Sequence, residues 1–212
     1  MSRRVVLLHG LWMPGVAMQW LAGQLKAAGF APEIFSYHSV ADGPDLAVPR
    51  LVELLRQPSA GSQGDTGILA HSLGGLIALQ ALCDAPELAV DRVVCLGSPL
   101  AGSGAAAGML RWAPAAGLLG RSAALLQHGI ACWQGRAAVG VIAGHVPHGL
   151  GALFAGFDGE HDGTVAVAET RLPGIADHVV VDASHSGLLF SADAAGQAIA
   201  FLRDGHFRHD AT

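Results

Sequence analysis

The stretch that most constrains what this chain can fold into is Gly67-Ile-Leu-Ala-His-Ser-Leu-Gly-Gly75, followed directly by Leu76-Ile-Ala-Leu-Gln-Ala-Leu82. An apolar run ends at Ala70, and Leu73, Leu76, Leu79 and Leu82 then recur at helical spacing. The hydrophobic period therefore changes within a few residues, and Ser72 stands at the change. A strand that turns this sharply into a helix crowds its own backbone and leaves room only for very small side chains beside the serine. Ala70 and Gly74 supply them. The pattern small-x-Ser-x-Gly, a nucleophile elbow, holds a serine hydroxyl clear of the sheet. So short a pattern arises by chance in many chains, so its meaning depends on what else the sequence carries.

The rest of the sequence alternates between two periods. Continuous apolar or β-rich runs at 5–8, 33–37, 66–70, 92–96, 137–143 and 177–182 read as strands. Helical patterns fall at 18–28, closed by Gly29, at 46–56 with Pro49 near the first turn, at 73–85 before Pro86, and at 192–202. The stretch 58–65 reads as loop. This alternation predicts an α/β fold with a parallel sheet of about six strands and helices on both faces. At 212 residues, one domain over 1–212 is expected. Residues 101–136 break the alternation with short Ala-, Gly- and Leu-rich helical patterns, read as a helical cap. The polar tail 204–212 is expected to fray, with His206 and His209 solvated.

Composition removes several classes of function. A net charge of −5 gives no basic footprint, so no nucleic-acid partner is expected. Arg3-Arg4 and the apolar run after it imitate a leader, but His9-Gly10 and Pro14 interrupt it, and the run reads as a buried strand. No stretch is long and apolar enough to span a bilayer. Cys83, Cys95 and Cys132 are odd in number and lack CxxC spacing, so buried reduced thiols and a cytoplasmic setting are expected.

A serine hydroxyl is a weak nucleophile until a base takes its proton, and the usual base is histidine. His185 lies just beyond the last strand pattern, in Asp182-Ala-Ser-His-Ser-Gly187, where loops at carboxyl ends of parallel strands gather functional groups. A supporting acid has few places to come from, because residues 92–157 contain no Asp or Glu. The candidates are Asp158, Glu160, Asp162, Glu169, Asp177 and Asp182. Asp162 heads the turn Asp-Gly-Thr-Val165 and is taken first. Asp158, in its own Asp-Gly, is second and is also a natural turn former. For an oxyanion, the N–H of Leu73 follows the serine at a helix N-terminus, and the loop after the first strand offers Leu11.

Together these segments resemble the α/β-hydrolase family, most closely small bacterial lipases and esterases and the GPI inositol-deacylase-like branch. Leu8-His-Gly-Leu11, Ala70-His-Ser-Leu-Gly-Gly75, Gly97-Ser-Pro-Leu-Ala-Gly-Ser103, Asp162-Gly-Thr-Val165 and His185-Ser-Gly carry the likeness across most of the chain. It implies the order nucleophile, acid, base, with Ser72, Asp162 and His185 in those roles and Leu11 and Leu73 as oxyanion donors. The chain departs from the family in having Ala70 for the usual first glycine, and in opening without two antiparallel strands. The resemblance thus implies a minimal version of the fold.

The expected activity is carboxylic ester hydrolysis on an acyl ester or lipid, with no cofactor and no metal. A thioesterase or acyltransferase would use the same residues, and a binding protein that kept the fold is the alternative of another class. The segment 101–136 looks like a short lid, with Trp12, Trp112 and Trp133 expected to touch substrate. Its arginines, Arg111, Arg121 and Arg136, would suit transient contact with a membrane surface. His71 is expected to pack or hydrogen-bond beside the site, Ser98 to be structural, and His145-Val-Pro-His148 to be a loop pair and no metal site.

Overall fold

The computed structural model describes residues 2–57, 66–112, 117–149 and 159–209. The predicted loop 58–65 and Asp158 lie outside these residues. Six strands run β1 Arg4–Leu8, β2 Ala31–Phe35, β3 Thr66–His71, β4 Val90–Leu96, β5 Ala138–Gly144 and β6 Asp177–Val181. They form one sheet in the order β2-β1-β3-β4-β5-β6, every neighbouring pair parallel. The helices are α1 Gln19–Ala27, α2 Gly43–Arg56, α3 Leu73–Asp84, α4 Gly104–Arg111, α5 Ala123–His128 and α6 Ala192–Asp204, with short 3₁₀ turns between. This is the α/β fold with a six-stranded parallel sheet that the alternation of periods predicts.

The central strands are apolar on both faces because both faces are covered. Successive side chains of β1 divide between two cores. Val6 and Leu8 pack with Leu51 of α2 and with Leu76 and Ile77 of α3. Val5 and Leu7 pack with Leu21 and Leu25 of α1 and Phe201 of α6. Each such fully buried Leu, Ile or Val contributes about 1.5–3 kcal/mol relative to exposure.

Some expectations shift. Strand β2 begins two residues early, at Ala31, and includes Pro32. It is an edge strand paired only with β1, so the missing Pro32 N–H costs little there. Helix α2 begins at Gly43, which puts Pro49 in its interior and not near its first turn. Pro49 and Asp45, whose carbonyl loses its partner, are both exposed, where water replaces the lost bond. Cys95 is buried, but Cys83 and Cys132 are exposed, contrary to the expected burial of all three. The tail is also held further than its polar letters suggest. Phe207 is buried against Phe201 at 4.9 Å between ring centroids. Its N–H donates to Asp177 at 2.7 Å, and His209 also meets Asp177, at 2.9 Å.

The strand order reverses at β1, whose neighbours β2 and β3 lead off in opposite directions. Leu8 pairs with Phe35 on one side and Ala70 on the other, so the carboxyl ends of these strands are level. A crevice opens outside strand ends at such a switch point, and it is where open α/β sheets place ligands. Ser72 follows β3 directly at that crevice.

Candidate active site

Ser72 is the hinge between β3 and α3, with φ 54° and ψ −123°. A positive φ at a residue with a Cβ costs on the order of 1–3 kcal/mol and persists only where its surroundings hold it. Here the Ser72 N–H donates to the Leu96 carbonyl at 2.9 Å, and the Ser72 carbonyl accepts from the Gly75 N–H at 3.0 Å. Gly74 has to be glycine, because a Cβ there would stand 2.8 Å from the His9 carbonyl oxygen and 2.9 Å from Leu8 Cβ. The elbow therefore presses directly on the end of β1.

His185 comes from the loop after β6, four residues beyond its end. Its backbone N–H donates to the Asp162 carbonyl at 2.9 Å. Its Nδ1 lies 2.7 Å from Asp162 Oδ2, and its Nε2 lies 3.0 Å from Ser72 Oγ. A carboxylate oxygen accepts, so Nδ1 carries the hydrogen and Nε2 presents its lone pair to the serine hydroxyl. Asp162 is 1% exposed, and its other oxygen, Oδ1, accepts from Thr164 N–H at 2.9 Å and Val165 N–H at 2.7 Å. The Asp-Gly-Thr-Val turn is thus built around the carboxylate, one oxygen for its own backbone and one for the imidazole.

The other acid candidates are placed elsewhere. Glu169 accepts from Gly104 N–H at 2.6 Å and Ala166 N–H at 3.0 Å, tying the start of α4 to the turn after Asp162. Burial pushes its carboxyl up. Asp177 sits at the opposite end of β6 with Phe207 and His209. Glu160 is exposed. Asp182 is also exposed and lies 3.7 Å from His145. Among the described residues, Asp162 is the carboxylate that faces His185.

Leu11 and Leu73 both belong to this neighbourhood. Leu73 opens α3, so its N–H is free of the helix ladder. Leu11 and Ser72 line the same cavity. The loop bearing Leu11 is braced by His9, which the sequence offered only as part of a motif, and by Tyr37, which it did not single out. His9 is fully buried, donates from Nδ1 to the Gly10 carbonyl at 2.9 Å, and stacks on Tyr37 at 4.3 Å. The Tyr37 hydroxyl donates to the His9 carbonyl at 2.7 Å. Burial lowers the His9 imidazole, in keeping with a neutral ring. Tyr37 is the chain's single tyrosine, but nothing in its local sequence marks it as a partner of His9.

Trp12 follows with φ 58°, its N–H donating to Ser39 Oγ at 3.1 Å and its indole N–H to the Leu118 carbonyl at 2.8 Å. Trp12 lines the cavity, whereas Trp112 and Trp133 do not. Trp112 is 56% exposed at the end of α4. Trp133 is in the core, its indole N–H donating to the Ala137 carbonyl at 2.8 Å. Apolar residues that the tryptophan pattern did not pick out, among them Ala105, Ala106, Met109, Leu119 and Leu126, supply one wall. The cavity holds about 360 Å³ and reaches Ser72 and His185. His148, Thr164 and Ser186 line it as well.

His71 also lines the cavity, but it is 1% exposed. Burial, with His185 beside it, pushes its imidazole down to about 3. Among the described residues there is no group of three or more His, Cys, Asp or Glu side chains placed to hold a metal ion, and no helix is long and apolar enough to cross a membrane.

No protein-family model and no curated protein sequence matches the chain. Solved structures do. The Bacillus licheniformis lipase BlEst2 in mature form superposes with a TM-score of 0.74 at 20% identity, covering 95% of this chain and 91% of that one. A metagenomic carboxyl esterase gives a TM-score of 0.65 at 20% identity over 87% of this chain and 64% of its own. Phospholipase PlaB from Legionella pneumophila gives 0.65 at 16% identity over 96% of this chain and 57% of its own. The chain thus spans less than two thirds of the last two. The finer likeness to the GPI inositol-deacylase-like branch has no support from these structures. At such identities the likeness speaks to architecture alone: this chain has the α/β-hydrolase fold of known lipases and esterases.

Proposed function

We propose that this protein is a serine hydrolase that cleaves carboxylic esters by transferring their acyl group to Ser72 and then to water. The observation that carries the reading is the unbroken chain of contacts from Asp162 through His185 to Ser72, at 2.7 and 3.0 Å. Its esterase and lipase neighbours in fold support the same class of reaction.

His185 Nε2 takes the hydroxyl proton as Ser72 Oγ bonds to the ester carbonyl carbon, and the carbonyl π pair moves onto oxygen. Asp162 stabilises the resulting imidazolium and keeps its ring in register. The N–H groups of Leu11 and Leu73 donate to the oxyanion, each such donor typically worth ~3 kcal/mol of transition-state stabilisation. As the tetrahedral centre collapses, the bond to the alkoxy oxygen breaks and His185 gives that oxygen its proton. The alcohol leaves and Ser72 carries the acyl group. Water then loses a proton to His185 and attacks the same carbon, and the proton returns to Ser72 Oγ as the acid departs. The cycle consumes one water per ester and leaves the protein unchanged.

Because His185 must reach the leaving oxygen, the alcohol lies toward the base and acid loops, beside His148, Thr164 and Ser186. The acyl chain then runs along the apolar wall formed by Ala106, Met109, Leu119 and Leu126, with the segment between β4 and β5 acting as a cap over it. The same groups would serve a thioester, or an alcohol acceptor in place of water. A panel of p-nitrophenyl esters of rising chain length separates these readings from a non-catalytic one. Turnover that vanishes in Ser72→Ala is expected. Turnover equal in wild type and Ser72→Ala, or none with any ester or thioester, removes the proposal.

A further inference from the structure

The proposed cycle leaves unused one buried titratable side chain in the site, His71. Its Nε2 lies 3.0 Å from the carbonyl oxygen of His185, and because a carbonyl only accepts, this nitrogen carries the ring's hydrogen. The bond is made to the backbone of the catalytic base and not to its ring. The two imidazoles stand 4.8 Å apart at 49°. The other nitrogen, Nδ1, is buried without a partner. It faces the loop after β1, where a Cβ on Gly10 would stand 2.9 Å from it and 3.0 Å from Ser72 Cβ. One ring therefore touches the loop that offers Leu11, adjoins the nucleophile in sequence, and holds the loop that carries the base. An unpaired buried acceptor costs about 1–3 kcal/mol. A somewhat larger phenyl ring would offer the same flat packing surface without that cost, so packing alone does not account for an imidazole here.

We propose that His71 is a positioning residue, whose Nε2–H fixes the His185 backbone so that the base meets Ser72 Oγ while its ring spaces the oxyanion loop. His185 approaches Ser72 from a loop, and its backbone is otherwise tied by the N–H to the Asp162 carbonyl. The bond from His71 secures the other side of the same peptide chain, through the His185 carbonyl. Without it the imidazole keeps its carboxylate but loses a fixed distance to the serine, and a misplacement of about 1 Å costs on the order of a hundredfold in rate.

The inference rests on the hydrolase reading above, and its test uses reach. His71→Gln places an amide N–H near the position of Nε2. His71→Asn carries the same group one methylene short, and His71→Phe keeps the shape without a donor. Active sites are counted with a fluorophosphonate so that kcat refers only to competent molecules, and unfolding midpoints are measured alongside. We expect kcat to fall about tenfold or more in the Asn and Phe variants with KM nearly constant, and to recover in the Gln variant to within about threefold of wild type. Equal kcat in all four proteins overturns the inference, as do losses that follow unfolding midpoint and not the presence of a donor. If Phe fails to fold, the Gln and Asn pair still decides it. A wild type that neither labels nor turns over would sink the underlying hydrolase reading, whereas an active wild type with indifferent His71 variants sinks this inference alone.

Discussion

At the scale of single residues, the geometry around Asp162 makes a sharp prediction. Its Oδ1 is committed to two backbone N–H groups, so in Asp162→Asn the amide oxygen has to stay there. The amide NH₂ then faces His185 Nδ1, which must turn its lone pair inward and move its hydrogen to Nε2. That nitrogen cannot then accept the proton of Ser72. A fall in kcat on the order of 10³–10⁴ is expected with little change in unfolding midpoint, measured by ester hydrolysis and thermal denaturation. Sequence led to Asp162 because a 66-residue stretch without acids shortened the list and because Asp-Gly-Thr-Val is a turn with a reason. Sequence ranked Asp162 first but could not exclude five other carboxylates, since that choice depends on which loops meet across the sheet. The tryptophans part company for a related cause. An indole serves a core and a pocket equally well, and only the fold placed Trp133 in one and Trp12 at the other.

At the scale of elements, strands and helices were legible wherever burial is two-sided and the apolar run is continuous. Edges were less so. Pro32 hid the start of β2 because proline argues against strand everywhere except at an edge. The tail hid its anchor in one phenylalanine, Phe207, and in a carboxylate at the far end of β6. Strand β6 also carries a pH response. Burial is the first cause, and Arg171 the second, that lowers His178 from 6.5 to about 4. The ring hydrogen-bonds Thr170 Oγ1 at 2.8 Å. The unfolded chain therefore binds a proton at this residue before the folded one does. The stability it contributes is present above about 6.5 and is lost as pH falls toward 4. Urea midpoints at pH 7 and pH ~4.5 should accordingly drop less for His178→Gln than for wild type. An equal or larger drop in the variant would show that His178 is not the half-buried neutral group described.

At the scale of the whole molecule, the reversal of strand order between β2-β1 and β1-β3 creates the crevice, and three loops from distant parts of the chain meet there. Residues 11, 72 and 185 become neighbours because β1, β3 and β6 end on the same edge of one parallel sheet. The short segment between β4 and β5 closes one side with apolar groups, joined to the loop after β1 through Trp12 and Leu118. The resulting cavity of about 360 Å³ lies toward the small end of the range in which proteins bind small molecules, ~300–1,000 Å³. The central claim is that Ser72 is the atom-level nucleophile of this assembly. Its most direct measurement is reaction with a fluorophosphonate followed by peptide mass spectrometry. The account predicts one phosphonyl adduct per chain, located on Ser72, lost in Ser72→Ala and slowed in His185→Ala. An adduct on another serine, or labelling that survives Ser72→Ala, would contradict it.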